Sequence, residues 1–285
     1  MASHEFTSIR SPRIKGVRRL AKRTFRQRER RFLAEGPQAV REALLPGGRS
    51  GTVVVELFAT AEAMHRHVEL VDSAHGAGLP VHRVSLEVMS ELAQTVSPQG
   101  VIAVCEFVDV PLESVGDVRL AVVLSHVRDP GNAGTVLRTA DAAGADVVIF
   151  TDASVDPYNG KCVRASAGSL FHLPVVVGAP VGEAVAVLHG SNARVFAADG
   201  GGAEDLHEVA DSGGLDRPVG WVFGNEAWGL PKDVVEQTDG AVSVPIYGGA
   251  ESLNLATAAA VCLYTTARQQ RRSWDPASHA SRRSS

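Results

Sequence analysis

The apolar stretch Leu120-Ala121-Val122-Val123-Leu124-Ser125-His126-Val127 is the first of six such stretches between residues 120 and 246. Continuous runs of Val, Ile and Leu are typical of strands in a parallel sheet covered on both faces, whereas alternating patterns indicate a sheet with one wet face. Helical patterns separate the six stretches, which also favours a parallel α/β sheet. The predicted strands are 120–127, 146–151, 173–177, 193–198, 219–223 and 241–246.

The loop after the first strand carries polar groups where a parallel sheet binds its ligands, beyond the carboxyl ends of strands. Arg128-Asp129-Pro130-Gly131-Asn132 makes a turn, and we expect Asn132 to cap the helix that follows. Arg138, nearly two turns into that helix, is suited to hold a phosphate or a ribose oxygen; a solvated surface arginine is the alternative. Gly131-Asn132-Ala133-Gly134 lacks the G-x-G-x-x-G spacing of dinucleotide-binding folds.

Two later loops also follow predicted strands and carry polar residues. In Phe223-Gly224-Asn225-Glu226-Ala227-Trp228-Gly229, the glycines allow close approach of the backbone to a ligand, although a glycine-rich turn with a solvated Glu226 is the alternative. Val244-Pro245-Ile246-Tyr247-Gly248-Gly249-Ala250 leads into an apolar helix whose first turn we expect to carry Glu251, Ser252 and Asn254. Capping requires one such residue, so the surplus indicates a ligand site.

The first hundred residues have a different organisation. Residues 15–45 are predicted to be helical with a break at Gly36-Pro37, and strands are predicted at 52–58, 81–84 and 101–108. We therefore expect a smaller α/β domain over 1–108, a linker over 109–118, a larger domain over 119–270 and a disordered basic tail over 271–285.

The net charge of −4 hides a strong asymmetry. Residues 1–31 hold eleven Lys and Arg against two Glu, a net +9, and residues 268–285 carry +4, which leaves −17 for the rest. Basic ends on an acidic body are typical of polyanion binding, and a tail kept for solubility is the alternative. Phe25 and Phe32 interleave with the arginines and favour a helix that faces RNA. The candidate RNA-binding residues are Arg18, Arg19, Lys22, Arg23 and Arg26, with Lys161 and Arg164 one helical turn apart further on.

The cysteines and the hydropathy restrict the class of protein. Cys105, Cys162 and Cys262 stand in apolar contexts without metal-ligand spacing, which predicts buried reduced thiols and no metal site. No apolar run is long enough to cross a bilayer, and the arginine-rich N-terminus lacks a signal-peptide core. We expect a cytoplasmic protein without a membrane partner.

Taken in order, the three loops resemble the motifs of the SpoU (TrmH-like) family of RNA ribose 2′-O-methyltransferases, within the SPOUT superfamily. The matching residues are, for the first motif, Asn132, Gly134 and Arg138; for the second, Phe223-Gly224-Asn225-Glu226 with Gly229-Leu230; and for the third, Val244-Pro245-Ile246 with Ser252-Leu253-Asn254-Leu255. The resemblance covers about residues 119–268. More loosely, Phe32-Leu33-Ala34-Glu35-Gly36 is similar to the opening of the RNA-binding α/β extension of many members.

The resemblance implies a fold, a cofactor and an assembly. The methyl donor would be S-adenosylmethionine, the catalytic domain would carry a C-terminal trefoil knot, and the protein would be a homodimer whose interface lies beside the site. The residues implied to line the cofactor pocket, largely through backbone groups, are Gly224, Val244, Ile246 and Leu253.

The resemblance also implies roles for the catalytic residues. Arg138 takes the central role, Asn132, Ser252 and Asn254 orient the ribose or the arginine, and Glu226 holds the loops in register. Because a guanidinium is too weak an acid to lose its proton in a protein, we expect Arg138 to bind phosphate and stabilise developing negative charge instead of acting as a base.

The predicted function is methylation of a ribose 2′-hydroxyl, in ribosomal RNA given the N-terminal domain and the basic ends. A tRNA methyltransferase is one alternative, and a non-catalytic protein of the same fold that binds RNA or ribosome precursors is another. The joint presence of the five polar motif residues argues against a pure binder.

Overall fold

A computed structural model describes residues 5–45 and 52–272, which form two compact units. Of the described residues, the first unit contains those within Met1–Val110, Asp129–Arg138 and Val155–Val175, and the second contains those within Pro111–Arg128, Thr139–Ser154 and Val176–Ser285. Arg271 and Arg272 belong to the last helix, and the rest of the predicted tail, 273–285, lies outside the described residues.

The elements are numbered along the described chain. The helices are α1 Pro12–Arg19, α2 Arg23–Glu29, α3 Pro37–Leu44, α4 Ala61–Arg66, α5 Val68–Gly76, α6 Leu86–Leu92, α7 Pro130–Ala143, α8 Gly160–Ala165, α9 Val181–Gly190, α10 Leu206–Asp211, α11 Lys232–Val235 and α12 Leu255–Arg272. The strands are β1 Arg31–Glu35, β2 Val54–Thr60, β3 Val81–Val84, β4 Val101–Glu106, β5 Leu120–Leu124, β6 Val147–Thr151, β7 Val175–Ala179, β8 Arg194–Ala198, β9 Glu204–Asp205, β10 Val219–Phe223 and β11 Gly240–Ser243.

The first unit is built on a four-stranded sheet of order β1-β4-β2-β3. Strand β1 pairs antiparallel with β4 from Arg31 opposite Glu106 to Glu35 opposite Ile102. The prediction of helix throughout 15–45 is therefore wrong at β1. Pairing with β4 outweighs local propensity because it buries Phe32 completely. For the same reason Phe32 is a core residue and does not face RNA.

Segment 155–175 supplies part of the core of the first unit. The Tyr158 ring stacks on Phe107 with centroids 3.8 Å apart and lies 4.8 Å from the Phe32 ring. The Tyr158 hydroxyl donates to Asp109 Oδ1 at 2.6 Å and accepts from the backbone N–H groups of Val108 and Asp109. Burial and the neighbouring Asp109 raise the pKa of Tyr158 well above its usual range.

The second unit is built on a seven-stranded sheet of order β7-β6-β5-β10-β8-β11-β9. The pairs β5–β6, β5–β10, β10–β8, β8–β11 and β11–β9 are all parallel. Every residue of β5, β6 and β10 is buried, as the continuous apolar runs predict. The parallel α/β prediction is thus confirmed, while β9 was missed because two polar residues give no strand pattern.

Strand β11 ends at Ser243, three residues before the predicted end. Pro245 has no N–H to donate to a ladder, and the chain leaves the sheet before it.

Helix α12 is fixed to the sheet of the second unit through one face. Thr266 Oγ1 accepts from Trp221 Nε1 at 3.0 Å, and Gln270 Nε2 donates to the carbonyls of Arg119 and Arg217 at 2.7 and 2.9 Å. Cys262 is buried on this face, and burial raises its pKa to about 12.

The predicted burial of the thiols is confirmed, since Cys105, Cys162 and Cys262 are all free and buried. Among residues 5–45 and 52–272, no helix combines the length and hydropathy needed to cross a membrane. The same residues contain no cluster of His, Cys, Asp and Glu suited to hold a metal ion.

Candidate active site

The strand register brings three polar loops to one edge of the sheet in the second unit. Leu124 at the end of β5 lies opposite Phe223 at the end of β10, and Phe223 lies opposite Ala198 at the end of β8. Val242 of β11 also pairs with Ala198. The loops that follow β5, β10 and β11 therefore begin at the same carboxyl edge, where open parallel sheets bind ligands, with β8 between β10 and β11.

The loop after β10 is closed on itself at its glycines. Asn225 and Gly229 exchange two backbone hydrogen bonds, with N···O distances of 2.8 and 2.9 Å. A Cβ on Gly224 would lie 2.4 Å from the carbonyl carbon and oxygen of Gly229 and 2.8 Å from Leu230 Cγ. No other residue fits at Gly224 while the loop is closed, which is the physical reason for a glycine at this motif position.

The same loop is tied to the loop after β5. Asn225 Nδ2 donates to the His126 carbonyl at 2.9 Å, and Glu226 Oε2 accepts a longer hydrogen bond, 3.3 Å, from the Arg128 N–H. The Trp228 ring packs edge-on against the His126 ring at 5.3 Å. His126 is one of the few residues other than glycine with positive φ, at 59°. Sequence reasoning missed His126 and Trp228, because a backbone carbonyl and an aromatic edge contact leave no motif.

The third loop leads into α12 differently from the prediction. Asn254 Oδ1 accepts from the N–H groups of Ala256 and Thr257 at 2.9 and 3.4 Å, so Asn254 caps a helix that begins at Leu255. The expectation that Glu251 and Ser252 lie in the first helical turn is wrong. Both precede the helix and are exposed.

The backbone polar groups of residues 244–253 have no hydrogen-bond partner in the rest of the described chain. None of its N–H or C=O groups makes a hydrogen bond with residues 5–45 or 52–272. Val244 and Leu253 are half-buried, and Ile246 is 37% exposed. The segment therefore combines available backbone donors and acceptors with apolar side chains.

This combination fits S-adenosylmethionine. Its adenine needs backbone donors and acceptors between apolar walls, and Val244, Ile246 and Leu253 with the backbone of 244–253 supply both. The predicted pocket residue Gly224 begins the loop after β10, at the same sheet edge, and β8 separates that strand from β11.

In the first unit, Asp129 caps the start of α7. Its Oδ1 accepts from the Asn132 N–H at 2.8 Å, so the cap is Asp129 and not Asn132 as predicted. Lys161 Nζ lies 2.7 Å from Asp129 Oδ2. The Lys161 hydrogen bond, followed by that of the Asn132 N–H, holds the pKa of Asp129 below its usual value.

Arg138 is exposed on α7, on the stripe that also contains Gly131 and Thr135. No group among the described residues forms a hydrogen bond or an ion pair with its guanidinium. On another face of α7, Gly134 is buried against α8. A Cβ there would lie 2.4 Å from the Cys162 carbonyl oxygen and 2.7 Å from Ala165 Cβ.

The predicted RNA-binding residues of the first unit fall into two groups. Exposed on the surface are Arg18, Arg19, Lys22, Arg23 and Lys161. Arg18 pairs with Glu91, and the Arg19 guanidinium lies 5.5 Å from the centroid of the Phe25 ring. Arg164 is half-buried and pairs with Glu35 at 3.1 Å.

Arg26 is the exception, because only 3% of it is exposed. Its guanidinium donates to Asp156 Oδ2 at 3.0 and 2.7 Å and to the carbonyls of Leu20 and Ala21 at 3.0 and 2.8 Å. Its donors face protein acceptors, so the prediction that Arg26 contacts RNA is wrong.

Comparisons with known proteins agree with these loops. Residues 119–264 match the SpoU rRNA Methylase family, and residues 11–103 match the MRM3-like substrate binding domain. The chain is 32% identical over 260 residues to the 23S rRNA (guanosine(2553)-2'-O)-methyltransferase RlmP of Bacillus subtilis (strain 168), covering 91% of this chain and 98% of the relative.

Two solved structures resemble the fold over nearly its whole length. The AdoMet-bound rRNA methyltransferase from Sinorhizobium meliloti has a TM-score of 0.81 at 30% identity, with 93% of this chain and 97% of that chain covered. The SpoU methyltransferase AviRb from Streptomyces viridochromogenes, in complex with the cofactor AdoMet, has a TM-score of 0.79 at 28% identity, with 92% and 100% covered.

Proposed function

Because this chain belongs to the SpoU rRNA methylase family, we propose that it transfers a methyl group from S-adenosylmethionine to a ribose 2′-hydroxyl of ribosomal RNA. The observation that carries the proposal is the alignment of the loops after β10 and β11 at one sheet edge, with the backbone of 244–253 left available. Ribosomal RNA is favoured as substrate by the named activity of RlmP and by the match to a substrate binding domain.

The cofactor pocket is proposed to consist of Gly224, Val244, Ile246 and Leu253. Gly224 lets the loop after β10 close, and the three apolar residues provide walls for the adenine ring. When bound, S-adenosylmethionine supplies a methyl group on a sulfonium, an electrophile that needs no metal.

Arg138 is proposed to act on the substrate as a fixed positive charge. Its exposed guanidinium has no partner in the described chain, so it is suited to bind the phosphate next to the target ribose. From there it stabilises the negative charge that develops on the 2′-oxygen during the transfer. Holding the ribose in line with the methyl carbon lowers the barrier further.

The other motif residues are proposed to position the reacting groups. Asn132 and Ser252 orient the ribose, and Asn254 does so from the start of α12, which its side chain caps. Glu226 keeps the loop after β10 in register with the loop after β5 through the Arg128 N–H. These assignments follow the motif positions.

The family resemblance also supports proposals about the whole protein. We propose a homodimer, a trefoil knot in the C-terminal part of the catalytic domain, and a cytoplasmic location. The proposed RNA-binding domain, 1–108, and methyltransferase domain, 119–270, are supported by the matches at 11–103 and 119–264. Arg18, Arg19, Lys22 and Arg23, with Lys161 and Arg164, are proposed to contact RNA.

The test is methyl transfer from labelled S-adenosylmethionine to ribosomal RNA and, separately, to tRNA. Arg138→Ala is expected to lower turnover by about 10²–10³-fold, the usual cost of one group that stabilises an oxyanion. Cofactor affinity, measured by calorimetry, should not change. Arg217→Ala removes another exposed arginine, outside the motifs, and serves as the control.

Each part of the proposal has its own contrary result. Near-normal turnover of the Arg138→Ala variant would show that Arg138 is not a catalytic residue. Methyl transfer to tRNA alone would show that tRNA, and not ribosomal RNA, is the substrate. RNA binding without methyl transfer by the unaltered protein would favour a non-catalytic RNA-binding protein.

A further inference from the structure

Trp228 is an exposed aromatic residue in the loop after β10, and 54% of its surface is accessible. The other described tryptophan, Trp221, is fully buried in β10 and donates its indole N–H to Thr266 Oγ1. Within residues 5–45 and 52–272, no group accepts a hydrogen bond from Trp228 Nε1. Because neither core packing nor a hydrogen bond accounts for Trp228, its ring and its N–H are both available to a ligand.

The position of Trp228 distinguishes it from a scattered surface residue. A single exposed apolar side chain is ordinary on a protein surface. In the described part of the chain, however, three Phe, Tyr or Trp side chains are exposed, and two of them, Trp228 and Tyr247, belong to the motif loops of the candidate active site. Exposed tryptophan and tyrosine at such a place are typical of residues that contact a partner molecule.

His126 holds the Trp228 ring in place. The two ring centroids lie 5.3 Å apart with the ring planes at 67°, which is an edge-on contact. His126 is itself fixed, because its Nδ1 lies 3.0 Å from Oγ of the buried Ser125 and its carbonyl accepts from Asn225 Nδ2 at 2.9 Å. The Trp228 ring therefore keeps a defined orientation before any ligand binds, which lowers the entropic cost of binding.

The strand order shows on which side of β10 this contact lies. Strand β10 lies between β5 and β8, and β11 lies beyond β8. Since His126 follows β5, Trp228 is turned toward the loop after β5 and away from the loop after β11, which holds most of the proposed cofactor pocket. The chain that continues from His126 carries Asn132 and Arg138, two residues proposed to hold the RNA. Trp228 therefore lies where the first motif begins, and not on the side of the loop after β11.

The groups around Trp228 suit a nucleobase. A flat ring with 54% of its surface accessible presents a face on which a base can stack. His126 Nε2 makes no hydrogen bond with residues 5–45 or 52–272, so it adds a polar group beside the Trp228 N–H for the edge of that base. Bases within a helix already stack on their neighbours, so a ring of this kind takes an unpaired base.

We propose that Trp228 stacks on the unpaired base of the nucleotide whose ribose is methylated, with His126 as the brace that orients the ring. The inference rests on the proposed function and adds a requirement to it, because the target nucleotide must then be single-stranded or extruded from its helix. Stacking holds the base while the motif residues act on the ribose. Trp228 is thus a specificity-determining residue that selects unpaired RNA.

The test compares Trp228→Phe, which keeps an aromatic face, with Trp228→Leu, which keeps an apolar side chain without one. Leu86→Ala is the control, because it removes another exposed apolar side chain, 72% accessible, outside the motifs. Affinity is measured by fluorescence anisotropy, over a range of salt concentrations, for single-stranded oligoadenylate and for the oligoadenylate–oligouridylate duplex. Methyl transfer to 23S rRNA transcripts is measured for the same variants.

Trp228→Leu is expected to bind single-stranded oligoadenylate about tenfold more weakly, within the usual effect of losing one stacked base. The slope of log affinity against log salt should not change, because no charge is lost. Turnover with 23S rRNA should fall by about the same factor, whereas Trp228→Phe and Leu86→Ala should keep most of both values. Affinity for the duplex should be equal in all variants.

Tryptophan fluorescence measures the stacking directly. The emission of the unaltered protein minus that of Trp228→Phe isolates Trp228. Oligoadenylate should quench this difference, and the duplex should not. Unchanged S-adenosylmethionine affinity and circular dichroism of Trp228→Leu verify that the loop is folded.

Three results would overturn the proposal. Equal RNA affinity and turnover of Trp228→Leu and the unaltered protein would show that the ring contacts no base. Lost S-adenosylmethionine affinity in Trp228→Leu would make Trp228 a cofactor-binding residue, and a changed oligomeric state in sedimentation would make it an interface residue. Failure of the proposed function is distinguishable, because oligoadenylate would then quench Trp228 in an unaltered protein that transfers no methyl group.

Discussion

Gly134, in the middle of α7, has no room for even one methyl group. The atoms that exclude a Cβ include the Cys162 carbonyl oxygen at 2.4 Å and the Ser166 nitrogen at 3.0 Å, both backbone atoms of the adjacent segment. Gly224 is restricted in the same way by the backbone of Gly229. Both glycines belong to the motifs, and in both cases close approach of two backbones accounts for the residue.

Gly134→Ala is expected to destabilise the protein by about 1–3 kcal/mol, because the clash is with backbone that cannot rotate away. Gly16→Ala is the matched control, since Gly16 also lies within a helix but has nothing within 4 Å of the added Cβ. It should be neutral or stabilising by up to about 1 kcal/mol. Urea unfolding measures both, and equal stability of the two variants would contradict this account of Gly134.

The sequence could supply candidates at the residue scale but not all of their environments. Arg23 and Arg26 stand in the same basic run, and no local pattern distinguishes the exposed one from the buried one. The difference comes from Asp156, which is 130 positions away along the chain. In the same way, Asp129 and Asn132 are both good caps, and only the structure shows that Asp129 performs this role.

At the scale of elements, the long apolar strands were predictable and the short or mixed ones were not. Strand β10 has the predicted bounds, 219–223, because a buried parallel strand needs an unbroken apolar run. Strand β1 was hidden because Arg31-Phe32-Leu33-Ala34-Glu35 is equally compatible with a helix, and only pairing with β4 selects the strand. Helix α12 begins later than predicted, because the Asn254 side chain accepts a hydrogen bond from a backbone N–H group and caps the helix there.

The ion pair between Arg26 and Asp156 fixes helix α2 to segment 155–175. Both side chains are nearly inaccessible, at 3% and 4%. Arg26→Leu is expected to cost about 3–5 kcal/mol, because it leaves the Asp156 carboxylate buried without its partner. Arg18→Leu, which breaks the exposed pair with Glu91, should cost less than about 1 kcal/mol.

Chemical unfolding of the two variants and of Arg26→Leu with Asp156→Leu tests this. The double variant should recover part of the loss, since it removes the unpaired charge. If Arg26→Leu were no more harmful than Arg18→Leu, the pair would not stabilise the first unit.

At the scale of the whole molecule, the α/β class followed from composition and periodicity, whereas the division into units did not. Residues 129–138 and nearly all of 155–175 lie between predicted strands of the larger sheet, yet both segments cluster with the N-terminal residues. The contacts that bring 155–175 there include those of Tyr158 and Asp156, single residues in a stretch without periodicity. Contacts between single residues that are far apart along the chain cannot be predicted from a local sequence pattern.

Binding of S-adenosylmethionine should stabilise the whole protein if the backbone of 244–253 forms the pocket. At a concentration of about 100 times Kd, a ligand that binds only the folded state adds about 2.7 kcal/mol to the free energy of unfolding. Gly224→Ala should lose this increment, because its Cβ cannot fit beside Gly229. Gly190→Ala, with open space around the added atom, should keep it.

Thermal unfolding with and without the cofactor provides the measurement. If the cofactor raised the unfolding temperature of the Gly224→Ala and Gly190→Ala variants equally, the loop after β10 would not be part of the pocket.

The contribution of segment 155–175 to the first unit also sets an order for biosynthesis. A ribosome makes residues 1–110 first, but Arg26 then has no Asp156 and Phe32 has no Tyr158. The first unit can complete its core only after residue 175 has been made, by which time strands β5 and β6 have also been synthesised. The nascent N-terminal part should therefore stay sensitive to proteases, and open to chaperones, until more than half of the chain exists.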